Sequence, residues 1–107
     1  MIEKDYAKDF GLRLSQLRLQ KGVSARDMSL SIGQNAGYIN NIETQKALPS
    51  MSGFFYICEY LGISPKDFFD YQISDPVIMN ALVENLRYLS RSQLIAVSEI
   101  VKELIKK

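Results

Sequence analysis

Four primary amides, Gln34, Asn35, Asn40 and Asn41, fall within eight positions, among residues that are otherwise small or apolar apart from Tyr38. An amide presents a donor and an acceptor side by side. That pattern matches the N6/N7 edge of adenine, and the methyl groups of Ala36 and Thr44 can meet the methyl of thymine. Such chemistry reads a surface and breaks no bonds. The chain has no histidine, no cluster of carboxylates and no glycine-rich phosphate loop, so the perturbed acid or base that catalysis needs is missing and no enzyme is expected. The single cysteine, Cys58, lies in an apolar helical run with nothing to activate it, which reads as core filling. Without a second cysteine or any histidine, neither an internal disulfide nor a zinc site is expected, and nothing calls for a cofactor.

The elements that must hold these amides follow from the apolar spacing. Residues 24–43 read as two short helices joined by a tight turn at Gly33, with Met28 and Ile32 one turn apart on the first and Ile39 and Ile42 three apart on the second. If the isoleucines point inward, Ala36, Gly37, Asn40, Asn41 and Thr44 face out, with Gln34 and Asn35 at the amino end and Asn35 as its cap. Upstream, Tyr6, Phe10, Leu14 and Leu17 build one apolar face on a helix from about Asp5 to Lys21, closed by Gly22. Ser24 caps the helix that follows, and Asp27 imperfectly echoes a capping box.

Downstream, Ser50 or Ser52 starts a fourth helix with Phe54, Ile57, Cys58 and Leu61 inward, and Ser64-Pro65 starts a short fifth that delivers Phe68 and Phe69 to the core. Asp75-Pro76 opens a sixth helix with Ile78, Leu82, Leu86 and Leu89 on one face. Ser90 to Gln93 form a capping box that restarts the chain as a seventh, whose Leu94, Val97, Val101 and Leu104 alternate at three and four, with Ile95, Ile100 and Ile105 widening the stripe. No strand pattern is visible, so the fold class is all-α. At 107 residues and 47% apolar content, the chain can build one core of ordinary density. The expected division is a helix-turn-helix domain over residues 1–72 and a C-terminal helical extension over 73–107. The extension is expected to pack on that domain and to join a second copy through Leu94, Val97, Ile100, Val101 and Leu104.

The formal net charge is +1, so distribution matters more than the total. Residues 1–50 carry seven basic and five acidic side chains, residues 51–75 one and four, and residues 76–107 five and three. The acidic part is the middle, which leaves the amide-bearing half as the side to face phosphate. No leader-like apolar segment opens the chain and no apolar run approaches the ~20 residues that cross a bilayer, so a cytoplasmic protein without a membrane partner is expected. No small-molecule ligand is evident.

With these residues in view, the segment resembles the Cro/phage-repressor (XRE-type, lambda-repressor-like) helix-turn-helix family of transcription regulators. Leu14, Leu17, Arg18, Lys21, Gly22 and Ser24 match its first helix and exit. Ile42-Glu43, Lys46, Pro49-Ser50, Ile57, Leu61-Gly62-Ile63-Ser64 and Phe68-Phe69 match its fourth and fifth helices, so the likeness covers about residues 10 to 70. It implies a five-helix DNA-binding domain ahead of the C-terminal helical pair, and a repressor that binds a palindromic site on double-stranded DNA as a homodimer. Base contacts are implied for Ala36, Gly37 and Asn41, and a phosphate contact for Thr44, beside the amides Gln34, Asn35 and Asn40 already noted. Lys46 matches a lysine after the reading helix, and Arg26 and Tyr38 are further phosphate candidates. Arg18 and Glu43 match a partly buried ion pair that orients the reading helix. Two positions depart from the pattern. A glutamine that usually grips phosphate is Ala25, and the glycine that commonly follows the reading helix is Gln45. Neither the outer face nor its flanks carry an arginine aimed at guanine, so modest affinity per half-site is expected. The small, uncharged outer face and Ala25 keep an alternative open: a protein-interaction module, antitoxin-like or an accessory subunit, with a degenerate helix-turn-helix.

Overall fold

The computed structural model describes residues 2–106, with side chains from Asp5 onward. Its helices are α1 (Ile2–Lys21), α2 (Ala25–Ser31), α3 (Tyr38–Glu43), α4 (Met51–Leu61), α5 (Pro65–Phe69), α6 (Pro76–Leu86) and α7 (Arg91–Ile105). No strand occurs among the described residues, and the chain is all-α. It divides into two compact units, the first ending at Pro76 and the second beginning at Val77. No helix among the described residues is long and apolar enough to cross a membrane.

Serine side chains start four of the helices, each by accepting a free first-turn N–H. Ser24 takes that of Asp27, Ser50 that of Gly53, Ser64 that of Asp67 and Ser90 that of Gln93. At Ser90 the capping box is complete, because the Ser90 N–H donates in turn to Gln93 Oε1 at 2.9 Å. Ser52, the other candidate start for α4, lies inside the helix. The helix exits share one construction: α1, α2 and α4 each end on a left-handed glycine, at Gly22, Gly33 and Gly62, with paired backbone bonds folding back over the last turn.

The first unit is built around Phe10, Leu14 and Leu17 of α1, Met28 of α2, Ile39 and Ile42 of α3, and Phe54, Ile57, Cys58 and Leu61 of α4, closed by Ile63 and Phe68. Phe68 meets Phe10 at a tilt and Phe54 edge-on, at centroid distances of 4.7 and 5.1 Å. Two expected core residues stand outside. Tyr6 is 69% exposed, because α1 runs a turn beyond the core layer at Phe10. Phe69 is half exposed, since neighbouring residues on a helix point about 100° apart and Phe68 already takes the inward position. Cys58 is buried, and desolvation pushes its thiol up to about 11, which keeps it neutral.

Arg13, a residue the apolar spacing passed over, is 4% exposed. It lies at the edge of the α1 stripe, and its guanidinium donates to the carbonyls of Phe68 (2.7 Å), Asp67 (2.7 Å) and Asp70 (3.0 Å) and to Gln16 Oε1 (2.7 Å). Those carbonyls close the end of α5, so Arg13 ties that short helix to α1. Burial lowers its pKa, against the opposing pull of nearby Tyr71, Asp70 and Asp67.

The second unit is different in kind. No residue of α7 is buried, and α6 buries only Pro76. Helix α6 ends at Leu86, so Leu89 belongs to the connection rather than to the helix.

Candidate nucleic-acid interface

Helices α2 and α3 are too short to be stable alone, at seven and six residues, so their geometry is fixed by what they pack on. Met28 at 0%, Ile39 at 0% and Ile42 at 1% exposure join them to the core. On the opposite side of α3, Asn40, Asn41 and Thr44 are exposed together, as the 100° step between residues requires once the isoleucines face inward.

The amino end of α3 differs from the sequence expectation. The helix begins at Tyr38 with Gly37 as its cap, so Gln34, Asn35, Ala36 and Gly37 lie in the preceding turn rather than on the rod. Asn35 does not cap the helix. Its Oδ1 accepts the N–H of Gly37 at 3.1 Å, and its carbonyl accepts that of Tyr38 at 3.1 Å, which holds the turn. A Cβ built on Gly37 would stand 3.8 Å from Asn35 Oδ1 and 3.9 Å from Asn41 Nδ2, so the turn and the helix contribute to one polar patch. Gln34 and Ala36 are half-buried within the turn.

With no side chain at Gly37, α3 takes a cap from elsewhere. Ser29 of α2, fully buried, accepts the N–H of Ile39 at 2.9 Å and donates its own proton to the Ala25 carbonyl at 2.7 Å. Sequence reasoning missed this serine. The available signal was its place among Ala25, Met28 and Ile32 on the inward arc of α2, while Leu30 points out.

The far end of α3 is held twice. Arg18 grips Glu43 with two nearly parallel bonds, Nε to Oε2 at 2.7 Å and Nη2 to Oε1 at 3.0 Å, and its third nitrogen donates to the Val23 carbonyl at 2.8 Å. The side chains are 13% and 11% exposed, and the bond to Glu43 raises the Arg18 pKa further. Gly11 of α1 lies against the last carbonyls of α3. A Cβ there would meet the carbonyl oxygens of Ile42 and Glu43, both at 2.9 Å, so only glycine lets the two backbones approach this closely. This glycine, inside an otherwise regular helix, also escaped sequence reasoning.

Among the phosphate candidates, Arg26, in the first turn of α2, and Lys46, just after α3, are exposed cations. Thr44 is exposed, but its hydroxyl proton is given to the Asn40 carbonyl at 2.8 Å, leaving only acceptor capacity outward. Tyr38 is half-buried, and its hydroxyl lies 2.5 Å from where a Cβ on Gly53 would be. The phenol therefore packs on the first turn of α4, and burial raises its pKa. Among the described residues no group of histidine, cysteine or carboxylate side chains is arranged to hold a metal ion. In comparisons with known proteins, no family model matches the chain, and neither a curated protein nor a solved structure does.

Proposed function

We propose that this chain is a sequence-specific DNA-binding transcriptional regulator, a cytoplasmic repressor of the Cro/phage-repressor (XRE) type that binds a palindromic operator as a homodimer. Its first five helices would form the lambda-repressor-like domain, with α3 as the reader. What carries this is α3 itself: both isoleucines are buried, both ends are clamped, and the face with Asn40, Asn41 and Thr44 is open. Asn40 and Asn41 would pair with adenine edges, helped by Gln34, Asn35, Ala36 and Gly37 from the turn, while Arg26 and Lys46 neutralise phosphates. Without an arginine on that face, each half-site should bind modestly and favour A·T pairs.

Dimerisation would supply the remaining affinity, by setting two copies of α3 in major grooves about 34 Å apart. The second unit favours this. Leu82, Val83, Leu94, Ile100, Val101, Leu104 and Ile105 are all roughly half exposed or more, apolar surface of the kind that a second copy would cover.

Selection of bound duplexes from a random pool, followed by gel shift at two salt concentrations, tests the proposal. A symmetric, A·T-containing consensus whose affinity falls as salt rises is the expected result. No enrichment, and no shift at either salt, would overturn it in favour of a protein-interaction module.

A further inference from the structure

We infer that Ser29 is a positioning residue for the reader helix, fixing the direction of α3 by capping it from α2. This rests on the DNA-binding reading above and adds a determinant that does not itself touch DNA.

A six-residue helix has few internal bonds, and its first N–H groups need partners from outside. The usual partner is a side chain at the preceding position, and here that position is Gly37. The Ile39 N–H is satisfied instead by a hydroxyl from a different helix, at a site with no solvent access. Because the same hydroxyl donates to the Ala25 carbonyl, its oxygen is held between the first residue of α2 and the first turn of α3. The two bonds use the single proton of the hydroxyl and one of its lone pairs, so the orientation is unique. Burial of Met28, Ile39 and Ile42 in one core resists separation of the helices but allows them to slide. A directed bond at one end resists sliding as well. Base-edge pairing depends on that angle, whereas attraction to phosphate does not.

The test compares wild type with Ser29→Ala and Ser29→Cys. Alanine removes the oxygen and is the better helix former, so the domain should remain folded. Cysteine refills the volume with a poor acceptor. Both variants should exchange the Ile39 amide about tenfold faster and lose about tenfold in affinity for the selected operator, the scale of one lost hydrogen bond, with binding to random-sequence DNA nearly unchanged. Full operator affinity in the alanine variant overturns the inference. So does recovery of that affinity in the cysteine variant, which would assign the loss to packing. A wild type that enriches no sequence overturns the DNA-binding reading and takes this role with it, whereas a binding wild type with an equally binding alanine variant removes only the role of Ser29.

Discussion

Gln45 holds a left-handed backbone, at φ 62°, which L-residues other than asparagine and aspartate rarely take. It closes α3 with the construction seen after α1, α2 and α4: its N–H bonds the Ile42 carbonyl at 3.1 Å and that of Lys46 bonds the Asn41 carbonyl at 2.8 Å. Those three other exits use glycine. Gln45→Gly should therefore stabilise the domain by roughly 0.5–1 kcal/mol, less the weak loss of an exposed bond from Gln45 Nε2 to the Glu43 carbonyl. A denaturant midpoint that fails to rise would show that the turn is unstrained. Glu43 carries the opposite expectation. Its removal leaves the Arg18 guanidinium largely buried with only the Val23 carbonyl as partner, so Glu43→Ala should cost about 3 kcal/mol, at the low end for a broken buried pair because both groups keep some exposure. Operator affinity should fall as the carboxyl end of α3 loosens. Melting and affinity both equal to wild type would refute the clamp.

At the scale of the helices, the α1–α3 crossing constrains α3 through its backbone. Gly11→Ala would ordinarily help a helix by about 1 kcal/mol. Here the new methyl would press on two backbone oxygens that cannot rotate away, at a cost of up to about 3 kcal/mol, so the variant should instead be destabilised, by about 2 kcal/mol net, and bind operator less well. Chemical denaturation decides the sign, and a more stable variant would mean that α1 and α3 part freely. The same crossing explains what was legible in the chain. The serine caps, the left-handed glycines and the apolar stripes at Phe10, Leu14 and Leu17 or Phe54, Ile57 and Leu61 are set by neighbours within four residues, so they can be read from spacing alone. Gly11, Arg13 and Ser29 owe their roles to partners 10 to 57 residues away, and no local pattern announces them. The start of α3 departs from the sequence expectation for a related reason. Asparagine is a good cap, but Asn35 spends its side chain on the turn while Ser29 supplies the cap from α2.

On the scale of the whole molecule, the two units face opposite physical situations. The first buries aromatic and aliphatic side chains from five helices and has the means to stand alone. The second holds α6 after Pro76 and all of α7 with no buried residue among those described, and isolated helices of 11 and 15 residues are marginal in water. The apolar arc of α7, running through Leu94, Val97, Ile100, Val101, Leu104 and Ile105, spans about 140° at 100° per residue, a stripe that a soluble helix ordinarily buries. Leu104 at 78% and Ile105 at 70% are the most exposed residues of that arc. If a second copy covers it, folding of the second unit and dimerisation are one equilibrium, and the helicity of the tail must depend on concentration. Dilution of wild type should then remove part of the helical circular dichroism without melting the first unit, whose aromatic signals persist. Val101→Asp combined with Leu104→Asp should give a sedimenting monomer with that reduced helicity at every concentration. Its affinity for an isolated half-site should match wild type while affinity for the full palindrome collapses, because only the linkage between readers is lost. Wild type that sediments as a monomer at high concentration with its tail fully helical would remove the second copy from this picture.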